Sequence, residues 1–452
     1  MSANAKKDFP TTKAMSGFME LLPEEQIEFD KMLRGILETF QSFGFTALDT
    51  PVMERIEILR AKDVGETATQ IYGIEPRGEQ TESKSGLRFD LTVPLARYVA
   101  EHFANLSFPF RRCHVAKVYR GERAQKGRFR EFYQCDVDVI GHGALSMRYD
   151  AEIPSIIYRL FKKLDFGKFT IRVNNRKLLS GLVDSLGCEA PADKVLGVID
   201  RIEKISSAQF ADALRELGLT EAMTDKLVSF FEIGGSNAEI LQGLKDFGVD
   251  NADYQDGLSE LCTVAEFMKA LGVDENYYKI DPVIVRGLSY YTGTVYETVL
   301  DDYPKLGSVC SGGRYDNLAE CYTKEKLPGV GISIGLTRLF YQLREIGLIS
   351  CPRKTSADVI IVPKEDSNIA CALSVSQMLR AGGFNVDVLL EAFNIKKKFN
   401  YVNRKDTQFT VVIGQEEEQS GSVTLQYKSA DGNIEKLVVP QDGLAEKMKS
   451  LR

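Results

Sequence analysis

The chain has 452 residues, too many for one compact core, so two or three domains are expected. Apolar content of 44% and charged content of 27% are those of an ordinary globular protein. A net charge of −7 excludes a protein that coats nucleic acid indiscriminately but leaves room for a local basic patch.

Residues 23–44 place Phe29, Met32, Leu33, Ile36, Leu37, Phe40 and Phe43 at offsets of three and four, the stripe of an amphipathic helix. Pro23 suits its first turn and Gly44 its stop. Residues 45–52 read as a strand that Pro51 confines to an edge, an end or an interface. The glycine-punctuated stretch 65–86 reads as loop, 87–93 as a strand with Asp90 and Thr92 on one face, and 94–103 as a helix carrying Arg97. A hairpin-like unit follows: strand 115–120, basic loop 121–130 with Arg123, Lys126, Arg128 and Arg130, and return strand 132–140. On the return strand Gln134, Asp136 and Asp138 share one face. Tyr133, Cys135, Val137 and Val139 share the other, which is expected in the core.

Beyond residue 165 the texture changes. After a short strand at 169–173 the chain turns mostly helical up to 282, with turn signals at Gly187, Gly218, Gly234, Gly235 and Gly248. It interrupts two strand-rich regions and reads as an inserted helical domain. Strands resume at Val283. The stretch Arg286-Gly-Leu-Ser-Tyr-Tyr-Thr-Gly-Thr-Val-Tyr-Glu297 ends in a period-2 pattern, Ser311-Gly-Gly-Arg-Tyr-Asp316 reads as a turn, and 328–335 lead into a helix at 336–347. Residues 349–356, with Pro352, are a linker candidate. The remainder alternates strand and helix at 359–362, 370–382, 386–389, 395–404 and 409–413, a small α/β domain.

Several stretches keep two readings on their residues alone. The loop 121–130 is either a solvated charge run or, beside Gln134, Asp136 and Asp138, one half of a site for a ligand bearing both an ammonium and phosphates. The stretch 286–297 is either a tyrosine-rich strand opened by a salt-bridging arginine or a ligand-binding segment. Residues 395–405 are an amphipathic helix with Ile395, Phe399 and Val402 inward, and their Lys396, Lys397, Lys398, Arg404 and Lys405 beside aromatics also suit unpaired bases. Gly329-Val-Gly-Ile-Ser-Ile-Gly335 has the wrong glycine spacing for a dinucleotide turn; its glycines fit a strand and helix N-terminus brought close to a ligand, with Arg338 one turn in. Three histidines and eight scattered cysteines without a CxxC pair make a metal site improbable and fit free thiols in a reducing, cytoplasmic compartment. Residues 1–10 lack the apolar core of a secretory signal, and no apolar run is long enough to span a bilayer, so no membrane association is expected.

Together these strings carry a resemblance. Val118-Tyr-Arg-Gly-Glu122 through Gly127-Arg-Phe-Arg-Glu-Phe-Tyr-Gln134 resembles motif 2 of class II aminoacyl-tRNA synthetases; Gly329 to Leu339 resembles motif 3; the helix at 23–44 followed by Pro51 resembles motif 1, the dimer element. Arg286 to Gly293 and Ser311 to Asp316 resemble signatures of the histidyl-tRNA synthetase family, and the C-terminal region resembles its anticodon-binding domain. The resemblance implies an α/β (α+β) fold: an antiparallel sheet flanked by helices, with a helical insertion. It implies a catalytic domain in two parts, 1–168 and 281–347, around an insertion at 169–280, a linker at 348–356 and an anticodon-binding domain at 357–452. It implies histidine, ATP with Mg²⁺ and tRNA(His) as substrates, and a homodimer. Arg120 and Arg286 would contact the α-phosphate; Glu122 and Phe132 the adenine; Arg338 the nucleotide's other face. Asp90, Thr92 and Gln134 would surround the α-ammonium, and Asp138 and Tyr291, with Tyr290 beside them, the imidazole. Arg123, Gln125, Lys396, Lys397 and Lys398 are candidates for tRNA contact. The sequence departs from the family pattern at Ser289, where aspartate is usual, at Ala124, where bacterial relatives often carry proline, and at Asp138, where glutamate is common. A non-catalytic relative, the synthetase-like regulatory subunit of ATP phosphoribosyltransferase, is the alternative, disfavoured by the presence of Arg286 and of residues 357–452.

Overall fold

The computed structural model describes residues 10–61, 69–75, 84–202, 205–285, 291–429 and 431–452. The chain divides into two compact units, Met1–Glu20 with Met32–Ile349, and Leu21–Lys31 with Ser350–Arg452.

The predicted amphipathic helix forms at Pro23–Ser42. The strands, in chain order, are β1 (Thr46–Ala47), β2 (Met53–Arg55), β3 (Gly73–Ile74), β4 (Ser85–Leu87), β5 (Phe110–Tyr119), β6 (Glu131–Ile140), β7 (Phe169–Asn175), β8 (Tyr278–Ile280), β9 (Thr294–Leu300), β10 (Cys310–Tyr315), β11 (Gly329–Gly335), β12 (Val359–Pro363), β13 (Val386–Val388), β14 (Phe409–Ile413), β15 (Ser422–Lys428) and β16 (Ile434–Pro440). The first unit is built on an eight-stranded sheet in the order β1-β5-β6-β11-β10-β9-β7-β8, antiparallel from β5 through β7 and parallel only at its two edges. One face packs against the helix Arg148–Leu164. It is apolar along Cys135, Val137, Val139, Val330, Ile332 and Ile334, all essentially buried. The opposite face of the same strands is polar.

Three expectations change. The stretch 311–316, expected as a turn, is strand β10 in the middle of this sheet. Its glycines are there for packing: a Cβ at Gly312 would lie 2.1 Å from the Gly331 carbonyl oxygen. The strand expected at 87–93 ends at Leu87, and a helix runs Thr92–Glu101 with Pro94 in its first turn. Asp90 accepts the free Val93 amide near that helix start, at 3.1 Å. The strand expected at 45–52 shrinks to Thr46–Ala47, which lies at the sheet edge.

The insertion is helical: Arg176–Ser185, Ala192–Ile199, Ser207–Glu216, Glu221–Phe231, Asn237–Asp246 and Ala252–Ala270. Ser206 and Ser236 cap two of these helices by accepting the third amide, at 3.3 Å each. The second unit holds a five-stranded sheet, β13-β12-β14-β15-β16, with helices Ile369–Ala381, Ile395–Lys405 and Leu444–Ser450. Its core joins Val359, Ile361, Val411, Ile413 and Leu425 to Val375, Leu379 and Met448. Among the described residues no helix is long and apolar enough to cross a membrane.

Candidate active site

The polar face of the large sheet floors a cleft of about 900 Å³. Its floor follows from strand register. His114, Asp136, Ser333, Ser311, Glu297 and Arg172 lie side by side across β5, β6, β11, β10, β9 and β7, one polar row over six strands. The adjoining row runs Arg112, Asp138, Gly331, Gly313. The glycines are seats for side chains. A Cβ at Gly331 would fall 2.3 Å from Asp138 Oδ1, one at Gly313 would fall 2.9 Å from the Tyr291 ring, and one at Gly329 would strike the Tyr315 ring at 2.3 Å. The strand glycines expected to admit a ligand thus also make room for the groups that line the cleft.

The cleft brings together carboxylates and cations. Asp138 Oδ2 lies 2.7 Å from the guanidinium of Arg112, a residue with no exposed surface, and its Oδ1 accepts the Tyr315 hydroxyl at 2.7 Å. Arg112 also donates to the Leu91 carbonyl at 3.3 Å, tying the 90–92 turn to β6. Asp90 keeps Oδ2 without a hydrogen-bond partner, as Asp136 does Oδ1. Burial raises the Asp90 carboxyl to about 6, opposed by the Val93 amide, Arg120 and Arg112. Burial likewise lifts Asp136 to about 7, opposed mainly by Arg112. Asp138 is also raised by burial, against Arg112 and the Tyr315 hydroxyl. His114, at the end of the row, is held down to about 4 by burial and Arg112 while its Nε2 meets Asp49 Oδ1 at 2.8 Å. Cations line the same cleft. Arg120 donates to the Phe89 carbonyl at 3.0 Å and lies 5.1 Å from the centre of the Phe132 ring. Arg338 donates to the Leu306 carbonyl at 2.8 Å. Glu122 stands 3.5 Å from Arg128.

Asp90, Thr92, Arg120, Glu122, Phe132, Gln134, Asp138, Tyr291 and Arg338 therefore line one cleft, although they come from five separated stretches of chain. Arg286 and Tyr290, with Ser289, lie outside the described residues. Glu297, which closes the same stretch, pairs with Arg172 at 3.6 Å. Arg123 and Gln125 are exposed on the hairpin loop and are not among the residues that line the cleft, although Glu122, Gly127 and Arg128 of that loop are. In the second unit Lys396 and Lys397 are exposed, but Lys398 is a correction: it is 2% exposed and donates to the Pro363 carbonyl at 2.8 Å. Its position on the inward face of the helix Ile395–Lys405 turns the ammonium into a structural donor rather than a surface cation. Sequence reasoning passed over Arg112, Ser333 and the rim contributed by the insertion. There Arg176 donates to Asp193 at 2.8 Å, and both edge the cleft. Ser333 was visible in principle, two residues after Gly331 with strand alternation.

The comparisons with known proteins agree with this arrangement. Residues 17–339 match the family model for histidyl-tRNA synthetase, and residues 358–451 match that for the anticodon binding domain. The chain belongs to the histidyl-tRNA synthetase family. Among histidyl-tRNA synthetases it is 50% identical over 421 residues to the histidine–tRNA ligase of Clostridium tetani (strain Massachusetts / E88), covering 93% of this chain and 94% of that one. The crystal structure of histidyl-tRNA synthetase from Nostoc sp. PCC 7120 superposes with a TM-score of 0.89 at 39% identity, over 98% of this chain and all of that one. A structure from Bacillus halodurans described as an ATP phosphoribosyltransferase regulatory subunit/histidyl-tRNA synthetase shares the fold, with a TM-score of 0.72 at 21% identity over 90% of this chain and 99% of that one. The antiparallel-centred sheet, helical insertion and C-terminal anticodon-binding domain are the architecture of this histidyl-tRNA synthetase family.

Proposed function

We propose that this chain is a histidine–tRNA ligase that works in two steps within the cleft. In the first, a carboxylate oxygen of histidine attacks the α-phosphorus of ATP. The bond to the bridging oxygen breaks, pyrophosphate leaves, and a mixed anhydride, histidyl-adenylate, remains. In the second, a hydroxyl of the terminal tRNA ribose attacks the anhydride carbonyl and AMP leaves. Neither step requires a side-chain nucleophile. Alignment, and cations facing the charge that builds on the phosphoryl oxygens, supply the catalysis.

The observation that carries this reading is that one cleft gathers carboxylates, an amide and cations. Asp90, Thr92 and Gln134 form an acceptor-rich pocket suited to an ammonium, and Arg120 stands at the phosphate side with Phe132 beside it. Asp138 and Tyr291 are the groups assigned to the imidazole; a neutral ring offers one donor and one acceptor, which a carboxylate and a phenol match. In this reading Arg286 is the second cation at the α-phosphate, Tyr290 stands beside the imidazole, and Glu122, Phe132 and Arg338 hold the nucleotide. ATP arrives as its Mg²⁺ complex, with the ion carried on the β- and γ-phosphates. The division into a two-part catalytic domain (1–168 and 281–347) around an inserted domain (169–280), then a linker (348–356) and an anticodon-binding domain (357–452), belongs to the same reading. So do a homodimer and a cytoplasmic location, the latter in keeping with eight free thiols. Exposed Lys396 and Lys397, and Arg123 and Gln125 on the hairpin loop, are the candidates for tRNA contact.

The regulatory-subunit reading is less supported: the sequence carries Arg286, and residues 358–451 match the anticodon binding domain. Histidine-dependent ATP–pyrophosphate exchange separates the two. The expected outcome is exchange with histidine and no other amino acid. Arg286→Ala should fold normally and lose about 3–4 kcal/mol of transition-state stabilisation, as for one preorganised charge contact. Near-normal exchange in that variant would refute its assignment; exchange with no amino acid would favour the regulatory reading.

A further inference from the structure

The polar row contains a hydrogen-bond chain whose direction matters. Ser333 on β11 lies directly opposite Asp136 on β6. Gln134 Nε2 donates to Ser333 Oγ at 2.6 Å, while Gln134 Oε1 is buried and has no partner. Asp136 is 2% exposed, and the Ser333 hydroxyl facing it across the strand pair favours its ionised form. A serine hydroxyl has one proton to give. An ionised Asp136 can only accept, so it takes that proton. Ser333 is then left with lone pairs for Gln134, and Gln134 must turn an N–H toward it. Its carbonyl oxygen is thereby the end left without a partner. Reversed, the chain would turn the Gln134 amide N–H₂ toward the cleft, where it would oppose an ammonium.

We propose that Asp136 and Ser333 are positioning residues that fix the orientation of the Gln134 amide, so that its oxygen receives the α-ammonium of the amino-acid substrate. The relay rests on the reading that Gln134 contacts that ammonium. Neither Asp136 nor Ser333 needs to touch the substrate for it to operate. Burial raises the Asp136 carboxyl to about 7, with Arg112 opposing, so the relay holds this direction above that pH. His114, the neighbour of Asp136 on β5, directs Nε2 to Asp49 and so does not compete for the same oxygen.

The test is titration calorimetry of the full-length protein at pH 8, where Asp136 is ionised, with two ligands, L-histidine and 3-(imidazol-4-yl)propionate, which lacks the ammonium. Ser333→Ala frees the amide to rotate and should weaken L-histidine about tenfold, the size of one net hydrogen bond, while changing imidazolepropionate by less than about twofold. Ser333→Thr, which keeps the hydroxyl, should stay within about threefold of the parent for both ligands. Asp136→Asn, which permits the reversed chain, should match Ser333→Ala, and the KM for ATP should hold in all three. Equal losses for both ligands in Ser333→Ala would overturn the relay in favour of general distortion. A loss in Asp136→Asn with none in Ser333→Ala would overturn it in favour of direct contact by Asp136. Gln134→Ala is the check on the underlying reading: unchanged histidine affinity there would remove the ammonium contact itself, and the relay with it.

Discussion

The central strands of the two sheets are equally buried and chemically opposite. On β14 Phe409, Val411 and Ile413 face one way and Thr410 and Val412 the other, all buried, as expected of a strand with parallel and antiparallel neighbours and cover on both faces. On β6 the buried residues alternate: Cys135, Val137 and Val139 against Gln134, Asp136 and Asp138. Burying carboxylates costs free energy that apolar side chains would not, and removing one partner of a buried pair costs more. Arg112 and Tyr315 offset the cost for Asp138, and Ser333 for Asp136, but Asp90 Oδ2 and Gln134 Oε1 are left unsatisfied. Burial alone does not separate a sheet that holds a domain together from one that holds a substrate. Unrelieved polar burial does.

The strongest way to break the contrast is to fill a seat in the polar face. Gly331→Ala would put a Cβ 2.4 Å from the Val137 carbonyl oxygen as well as against Asp138, so β6 and β11 themselves must part. The expected cost is about 1–3 kcal/mol of stability, from overpacking. Histidine-dependent pyrophosphate exchange should fall well beyond what the stability loss explains, because Asp138 is displaced. Gly335→Ala, four residues along the same strand, meets nothing within 4 Å and should leave urea unfolding within about 0.5 kcal/mol. Similar stability losses for both would mean that the seats are not what the glycines are for.

A smaller effect sharpens the comparison through pH. The unfolded chain ionises Asp136 near the ordinary carboxylate value of 3.8, while the folded chain keeps its proton up to about 7. Between those values the folded state binds more protons, so this residue makes stability fall as pH rises through about 4 to 7 and adds no further loss above. The slope approaches about 1.4 kcal/mol per pH unit in that window. His114, folded at about 4, contributes the opposite slope between 4 and 6.5, so the total is flatter than either alone. Asp136→Asn removes one term only. Its stability relative to the parent should therefore improve from pH 4.5 to 7.5 in denaturant titrations. A parallel pair of pH profiles would show that Asp136 does not carry that burial penalty.

Much of this was legible in the chain, for identifiable reasons. Period-2 alternation over 132–140 gave away both the strand and its polar face, and turn signals marked the insertion. Alternation also misled: Leu87, Phe89, Leu91 and Val93 read as a strand, but Asp90 and Pro94 start a helix there. The pair Gly312 and Gly313 reads locally as a turn because its reason is non-local, namely the Gly331 carbonyl on one neighbour and the Tyr291 ring above. Arg112 escaped notice because β5 begins at Phe110, five residues before the strand expected from the sequence, and its carboxylate partner is 26 positions away on the next strand. Lys398 was counted among the surface cations because composition shows a basic cluster, whereas helical phase decides which member points inward.

The mildest test lies in the apolar sheet. Ile413 on β14 has no exposed surface and sits in the core of the second unit with Val411, Val423 and Leu444. Ile413→Val removes one methylene and should cost about 0.5–1.5 kcal/mol. That loss is comparable to the lower end of the Gly331→Ala effect, which makes the pair informative. If the two sheets divide the labour as their faces indicate, Ile413→Val moves the unfolding midpoint and leaves histidine-dependent pyrophosphate exchange where it was. Exchange measures only the first step, at the cleft of the first unit, so it is blind to a small loosening of the second. A drop in exchange at equal folded fraction would mean that the apolar sheet also sets the geometry of activation, and buried polarity would then no longer mark where function resides.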